Sequence, residues 1–245
     1  MEVLAACHVH SAWSYDGSWS LEELSAKFRR RGCRVLMMTE HDRGFSALRL
    51  HQYREACAQA SSDKILLLPG IEYSDAANRV HVLVWGNIPF LGEGLLTSDL
   101  LQAVQDAEGL AVLAHPSRRD AWKSFEPRWG DRLLGIEVWN RKYDGFAPSR
   151  TAHALLDQSS AIPFVGMDFH SQRQSFPLLM ALDMDASVTE ETVLHCLRSR
   201  RCYPRAFGIS LSQELVRNCL PVLNLAERSR RVVASVVRNS GFLAR

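Results

Sequence analysis

Short apolar runs rich in Val, Ile, Leu and Met alternate along this chain with longer segments of helical period. That alternation restricts it to folds made of repeated βα units around a parallel sheet. Strands are predicted at residues 3–7, 34–38, 64–68, 80–85, 110–114, 134–139, 162–165 and 178–182, and helices at 20–31, 47–60, 98–108, 149–158 and 189–201. Ser20 stands three residues before Glu23, the spacing of a capping box, while Gly32 and Gly109 stand where two helices should stop. A chain of 245 residues can close such units into a barrel with a large core.

From Ser210 the pattern becomes helical only, through Leu211, Leu215, Cys219, Leu223 and Leu225 to Val232, Val233, Val236 and Val237, with Pro221 dividing it into two helices. The expected organisation is therefore a barrel over residues 1–209 and a C-terminal helical extension over 210–245 packed upon it. The 29 basic and 27 acidic side chains leave a net charge of +2, too little to imply a broad polyanion-binding surface. The triplet Arg29-Arg30-Arg31 and the group Arg198, Arg200 and Arg201 close helices, where cations complement the dipole. No apolar run approaches the roughly 20 residues that cross a bilayer, and the N-terminus lacks the basic and apolar regions of a signal peptide. The expectation is a soluble, cytoplasmic protein with no membrane association. Six scattered cysteines without a C-x-x-C pair are expected to be reduced thiols.

Position singles out the histidines. His8 and His10 end the first predicted strand and Asp16 follows in the next loop; His41 follows the second, Glu72 follows the third, and His81 falls in the next apolar run. His115 ends Leu-Ala-Val-Leu-Ala-His-Pro, and Asp168 and His170 follow the run at 162–165. One such histidine usually satisfies a backbone group, but H-x-H and D-x-H at strand ends place paired ligands where barrel loops converge. The joint pattern predicts a metal site. His51, His153 and His195 lie in predicted helices and are expected to be structural or exposed.

The motifs H-x-H-S-x-x-S-x-D-G (8–17), T-x-H-D (39–42), G-I-E-x-S (70–74), V-H-x-L (80–83), A-H-P-x-R (114–118) and G-x-D-x-H (166–170) resemble the polymerase and histidinol phosphatase, or PHP, family of metal-dependent phosphoesterases. The resemblance covers roughly residues 3–205, in family order. It implies an α/β fold, a distorted seven-stranded (β/α) TIM-like barrel, holding two to three divalent metal ions. Carried over by position, it assigns His8, His10, Glu72 and Asp168 to the first metal. It assigns Glu72, as a bridging carboxylate, with His81 and His115 to the second, and Asp16, His41 and His170 to the third. The family commonly has T-D-H where this chain has Thr39-Glu40-His41, which puts a contact behind a ligand in question rather than a metal.

Charge arithmetic fits that reading. Three carboxylates and six neutral imidazoles carry minus three, so three divalent ions would leave about plus three, a site that favours an anion such as phosphate. A His-rich donor set favours Zn, Mn or Fe over Mg or Ca. Arg118 is the candidate catalytic contact to phosphate, with Arg119 and Arg43 weaker candidates. Glu137 is expected behind the ligands or in the pocket wall, Asn140 in the pocket lining, and Trp13 as a lid or core residue with base stacking as the alternative.

The expected activity is hydrolysis of a phosphomonoester of a small metabolite or nucleotide, with no obligate protein partner. A 5′-end-directed exonuclease on short DNA or RNA oligonucleotides is the alternative, and a non-catalytic metal-stabilised interaction module the third reading. An amidohydrolase in a similar barrel would carry a metal-bridging lysine, and no lysine stands at a predicted strand end.

Overall fold

Continuous apolar runs become strands here because both of their faces are covered. The segments β2 (Val35–Met38), β6 (His81–Trp85), β7 (Leu110–Ala114) and β8 (Gly135–Asn140) are buried along their whole length, as expected of strands enclosed on both sides. The computed structural model describes residues 1–211, 221–230 and 232. All eight predicted strands form, the others being β1 (Glu2–Val9), β4 (Leu66–Leu68), β9 (Ile162–Gly166) and β10 (Leu178–Asp183). Four more are present: β3 (Glu40–His41), β5 (Gly70–Ser74), β11 (Cys202–Ala206) and β12 (Ile209–Ser210). Ser210 is thus paired strand, not the start of a helix. Most of the expected 210–245 extension lies outside the described residues, and 221–230 are helical.

The five predicted helices are α1 (Leu21–Arg30), α2 (Ala47–Ala60), α3 (Thr97–Asp106), α4 (Arg150–Leu156) and α5 (Glu190–Arg198). The Ser20 capping box forms on both sides, and α1 turns Leu21, Leu24 and Phe28 inward. Gly32 takes the left-handed conformation after α1, but after α3 that role falls to Glu108 at φ 54°. Gly109 is needed for space, because a Cβ there would lie 2.9 Å from Val104 Cγ1.

The topology departs from a parallel barrel. The described strands form two six-stranded sheets, β12-β11-β10-β1-β2-β4 and β3-β5-β6-β7-β8-β9. Both are mixed: β10 runs antiparallel to β1 and β11, and β6 antiparallel to β5 and β7. The short connection explains the second case, since only residues 75–80 join β5 to β6 and a parallel partner needs a crossover of about a dozen or more. Asp75 N donates to Val80 O at 3.0 Å and Asn78 takes φ 49° to close that turn. The α/β class holds, whereas neither a closed barrel nor a seven-strand count is present among the described residues.

The sheets meet beneath the site. β2 and β3 are separated by Thr39 alone yet lie in different sheets. The chain after β9 bonds to the end of β1, with Met167 N to Cys7 O at 3.1 Å, Phe169 N to His8 O at 3.0 Å and His10 N to Phe169 O at 2.9 Å. Among the described residues no helix is long and apolar enough to cross a membrane, and five cysteines are free thiols.

Close backbone approach fixes the start of β5. A Cβ on Gly70 would fall 2.6 Å from Met38 O and 2.5 Å from Trp85 Nε1, which donates to that same carbonyl at 2.9 Å. Gly70→Ala should therefore destabilise the fold by about 1–3 kcal/mol. Urea unfolding checks this, and an unchanged midpoint would remove the packing argument.

Candidate metal centre

Strand ends and one reversed strand bring the nine predicted residues to one floor. His8 is the penultimate residue of β1, His10 follows that strand, His41 lies in β3, Glu72 in β5, and His115 directly follows β7. His81 opens β6, and because β6 is antiparallel to its neighbours its start lies at the edge where the parallel strands end: His81 pairs with Ser74 and Ala114. Asp168 and His170 follow β9, and Asp16 precedes α1. All but Asp16 are buried.

Backbone strain gathers here. His8, His115 and Asp168 have φ of 59°, 26° and 49°, which side chains other than Gly seldom adopt. His8 also falls at a break in register between β1 and β2. Such bulges re-aim a side chain, and the His8 and His10 rings lie 5.2 Å apart.

The Glu72 carboxylate is the hub. Five imidazoles approach it: His81 Nδ1 at 2.7 Å, His115 Nε2 at 2.9 Å, His41 Nδ1 at 3.1 Å, His10 Nε2 at 3.4 Å and His8 Nε2 at 3.5 Å. Asp168 faces His170 Nδ1 at 3.1 Å, and His8, His10 and His115 at 3.7–3.8 Å. Asp16 faces His170 at 3.1 Å and His41 at 3.3 Å. Donor atoms close enough to share an ion occur as His8, His10 and Asp168, as His8, Glu72 and His115, and as His10, His41 and His170. These groups overlap the inferred three-metal partition without reproducing it, since His10 also stands with His41 and His170.

Burial alone would raise the Glu72 and Asp168 carboxyls, but His81 and His8 hold the first, and His8, His170 and Lys142 the second, well below the usual range. Burial pulls imidazoles down, yet Asp16 and Glu72 lift His41 to about 10, and Asp16 and Asp168 lift His170 to about 9. His10 goes the other way, lowered by burial and by His170 and His41. His8 Nε2, His10 Nε2 and His115 Nδ1 are buried without a hydrogen-bond partner. The orphaned His8 Nε2 and His10 Nε2, both facing Glu72 and Asp168, fit a divalent cation, and the His, Asp and Glu donor set is chemically competent to hold one.

Residues behind the floor orient it. Glu137, fully buried in β8, places Oε1 2.8 Å from His8 Nδ1, while Oε2 accepts from His115 N at 2.8 Å and Asn140 Nδ2 at 2.9 Å. Glu40 accepts from Ser11 N at 3.0 Å, Ser11 Oγ at 2.6 Å and Ser14 Oγ at 2.5 Å, and Ser14 Oγ lies 3.2 Å from His10 Nδ1. The departure from T-D-H thus leaves a working contact behind His10. Asn140 does not line the cavity; its Oδ1 accepts from Lys142 N at 3.0 Å and Tyr143 N at 3.2 Å.

An open cavity of about 370 Å³ lies above the cluster. Arg118 reaches its wall, but it already donates from Nε to Tyr143 Oη at 3.1 Å, from Nη1 to Asn78 O at 2.8 Å and from Nη2 to Asn78 Oδ1 at 2.9 Å. Arg119 is exposed and bonds Asn78 O; Arg43 lies over the Tyr15 ring at 5.6 Å. Trp13 is not in the lining and packs on Tyr53 and Arg49. His51, His153 and His195 stay on α2, α4 and α5, away from the cavity. The residue that sequence reasoning missed is Lys142, whose Nζ lies 3.1 Å from Asp168 Oδ1. The absence of a lysine at a strand end does not survive: Lys142 follows the end of β8 by two residues, a position that Gly-Ile-Glu-Val-Trp-Asn marked.

No family model matches the sequence, and no curated protein does. Solved structures match its fold. A two-domain protein from Bacteroides vulgatus, described as containing a predicted PHP-like metal-dependent phosphoesterase, superposes with TM-score 0.64 at 18% identity over 89% of this chain and 68% of that one. The fold is PHP-like. PsfC from Pseudomonas syringae PB-5123 gives 0.61 at 16% identity over 93% and 98% of the two chains. A lesion-specific endonuclease from Pyrococcus furiosus gives 0.58 at 17% identity, over 81% of this chain and 56% of that one. This chain therefore spans little more than half of that enzyme. At such identities these neighbours speak to the fold, and the His and carboxylate clusters are this chain's own argument for divalent metal binding.

Glu137→Gln should weaken metal affinity by about 10–100-fold, the usual effect of removing the partner that orients a ligating imidazole. Titration of metal into chelator-treated protein measures it, and unchanged affinity would mean that Glu137 does not set His8.

Proposed function

We propose that this chain is a metal-dependent phosphoesterase of PHP type that hydrolyses a phosphomonoester of a small metabolite or nucleotide. The carrying observation is the convergence of five imidazoles on Glu72 beneath an open cavity. On this reading the two mixed sheets are a distorted form of the family's barrel, and His8, His10, Asp16, His41, Glu72, His81, His115, Asp168 and His170 hold two to three ions of Zn, Mn or Fe. Ions in that donor set would supply Lewis acidity and an activated water.

The chain's own residues do the rest. Lys142, with its side chain 29% exposed, is the cation free to swing from Asp168 to a phosphoryl oxygen. Arg118 contributes a second positive wall and, through Asn78 Oδ1 at 2.6 Å from His81 Nε2, holds His81 in orientation. Tyr143 packs its ring edgewise on His115 at 4.8 Å and closes the wall between them.

A short oligonucleotide is the second substrate reading, supported by a related endonuclease Q structure whose 27-mer duplex has an abasic lesion at the active site.

Protein purified without chelator should carry at least one transition-metal equivalent, and the double variant His8→Ala/His10→Ala should lose both metal and turnover. Elemental analysis with an assay in added Mn or Zn decides this; less than one equivalent and no gained activity would overturn the reading. Glu72→Gln should reduce turnover more than Arg118→Ala, which should cost about 10–100-fold as the loss of one charge-assisted contact. Equal losses at full metal content would displace Glu72 from its bridging role.

A nucleoside monophosphate, a sugar phosphate and a short 5′-phosphorylated oligonucleotide should outpace covalently closed circular DNA under one metal condition. Efficient cutting of the circle, which has no end, would reassign the activity to an endonuclease.

A further inference from the structure

The turn after β8 is held from two sides, and one of them is the helix at 221–230. On the inner side, Asp144 Oδ2 accepts from Asn140 N at 2.8 Å and its Oδ1 accepts from Ser117 Oγ at 2.5 Å, tying the turn to the segment after His115. On the outer side, Glu227 is only 5% exposed and its Oε2 accepts from Phe146 N at 3.0 Å. The carboxylate lies tight on the turn: Gly145 takes φ 74°, and a Cβ there would stand 2.5 Å from the Glu227 carboxyl carbon.

Charge and ring contacts complete this outer anchor. Arg230 grips Glu227 with both forks, at 2.7 and 2.8 Å, and lies 5.5 Å over the Phe146 ring. Arg141 lies between Phe146 and Phe176, at 4.8 and 4.9 Å. A buried carboxylate that neutralises one arginine and receives a backbone N–H is well satisfied. Lys142 and Tyr143, which face the cavity, lie in the 140–144 loop that the inner anchor closes, immediately before the outer one.

We propose that Glu227 is a positioning residue for the active site: the C-terminal helix holds the 140–146 turn so that Lys142 and Tyr143 form the phosphate-side wall. This rests on the reading of Lys142 and Arg118 as phosphate contacts. Glu227 touches no substrate, so it acts on binding geometry and leaves the metal floor intact.

The test uses the full chain loaded with metal. Glu227→Ala should raise KM for p-nitrophenyl phosphate about tenfold, with kcat within about threefold and metal content unchanged, a split that marks lost binding and not lost chemistry. Glu227→Gln keeps an acceptor for Phe146 N–H and should recover most of the affinity. Arg230→Ala, which releases the Glu227 carboxylate and also removes the contact over the Phe146 ring, should move KM the same way by less, and serves if Glu227→Ala fails to fold.

Hydrogen exchange over residues 140–147 supplies a readout independent of turnover, and exchange should speed up in Glu227→Ala while β8 stays protected. If wild-type protein hydrolyses no phosphoester, the dissociation constant of inorganic phosphate replaces KM, so failure of the enzyme reading is separable from failure of the anchor. Faster exchange with weaker phosphate or substrate binding supports the proposal. Unchanged exchange, or faster exchange with unchanged KM and phosphate affinity, overturns it.

Discussion

A carboxylate with five imidazoles around it, buried at the junction of two sheets, is the contact on which this molecule is organised. Burying a lone carboxylate costs several kcal/mol, and only close partners offset it. Glu72 finds them on β1 and the residue after it, on β3, at the start of β6 and at the end of β7. Those segments must meet at one point, which is why β2 and β3 change sheets across Thr39 and why the chain after β9 bonds to β1. The left-handed backbone at His8, His115 and Asp168 is the local strain of that convergence. Glu137 helps to sustain it by bonding the His8 ring and the His115 amide at once.

What the sequence carried was whatever depends on local chemistry. Val-Leu-Met-Met and Leu-Ala-Val-Leu-Ala are strands because nothing in them tolerates water, and Ser20 with Glu23 starts a helix wherever the chain places it. The clustered histidines and acids were legible because H-x-H and D-x-H at strand ends are rare without a purpose. β5 was not, because Gly-Ile-Glu-Tyr-Ser holds a charge in its centre that is stable only with histidines contributed by distant segments. The antiparallel course of β6 was carried by the brevity of residues 75–80, outweighed in the reading by the repeated βα rhythm. Lys142 was hidden for another reason: its direction depends on Asn140, Asp144 and Glu227, three polar anchors whose partners are remote in sequence.

The cavity itself is polarised, and that bears on what it would admit. Arg43, Arg118 and Lys142 stand in its lining together with Asp42, Asp75 and Glu93. The acids are committed to the scaffold: Asp42 Oδ2 accepts from Ser74 N at 3.0 Å, Asp75 Oδ1 from Arg79 N at 2.6 Å, and Glu93 Oε1 from Gly44 N at 2.7 Å. Burial raises Asp42 to about 6. A single phosphate would be drawn to the cations. The same acids can accept hydrogen bonds from hydroxyl or amino groups on the body of a small substrate. This mixture of charges suits a molecule that carries both an anionic group and hydrogen-bonding groups, and it comes from residues that hold the loops as well as face the cavity.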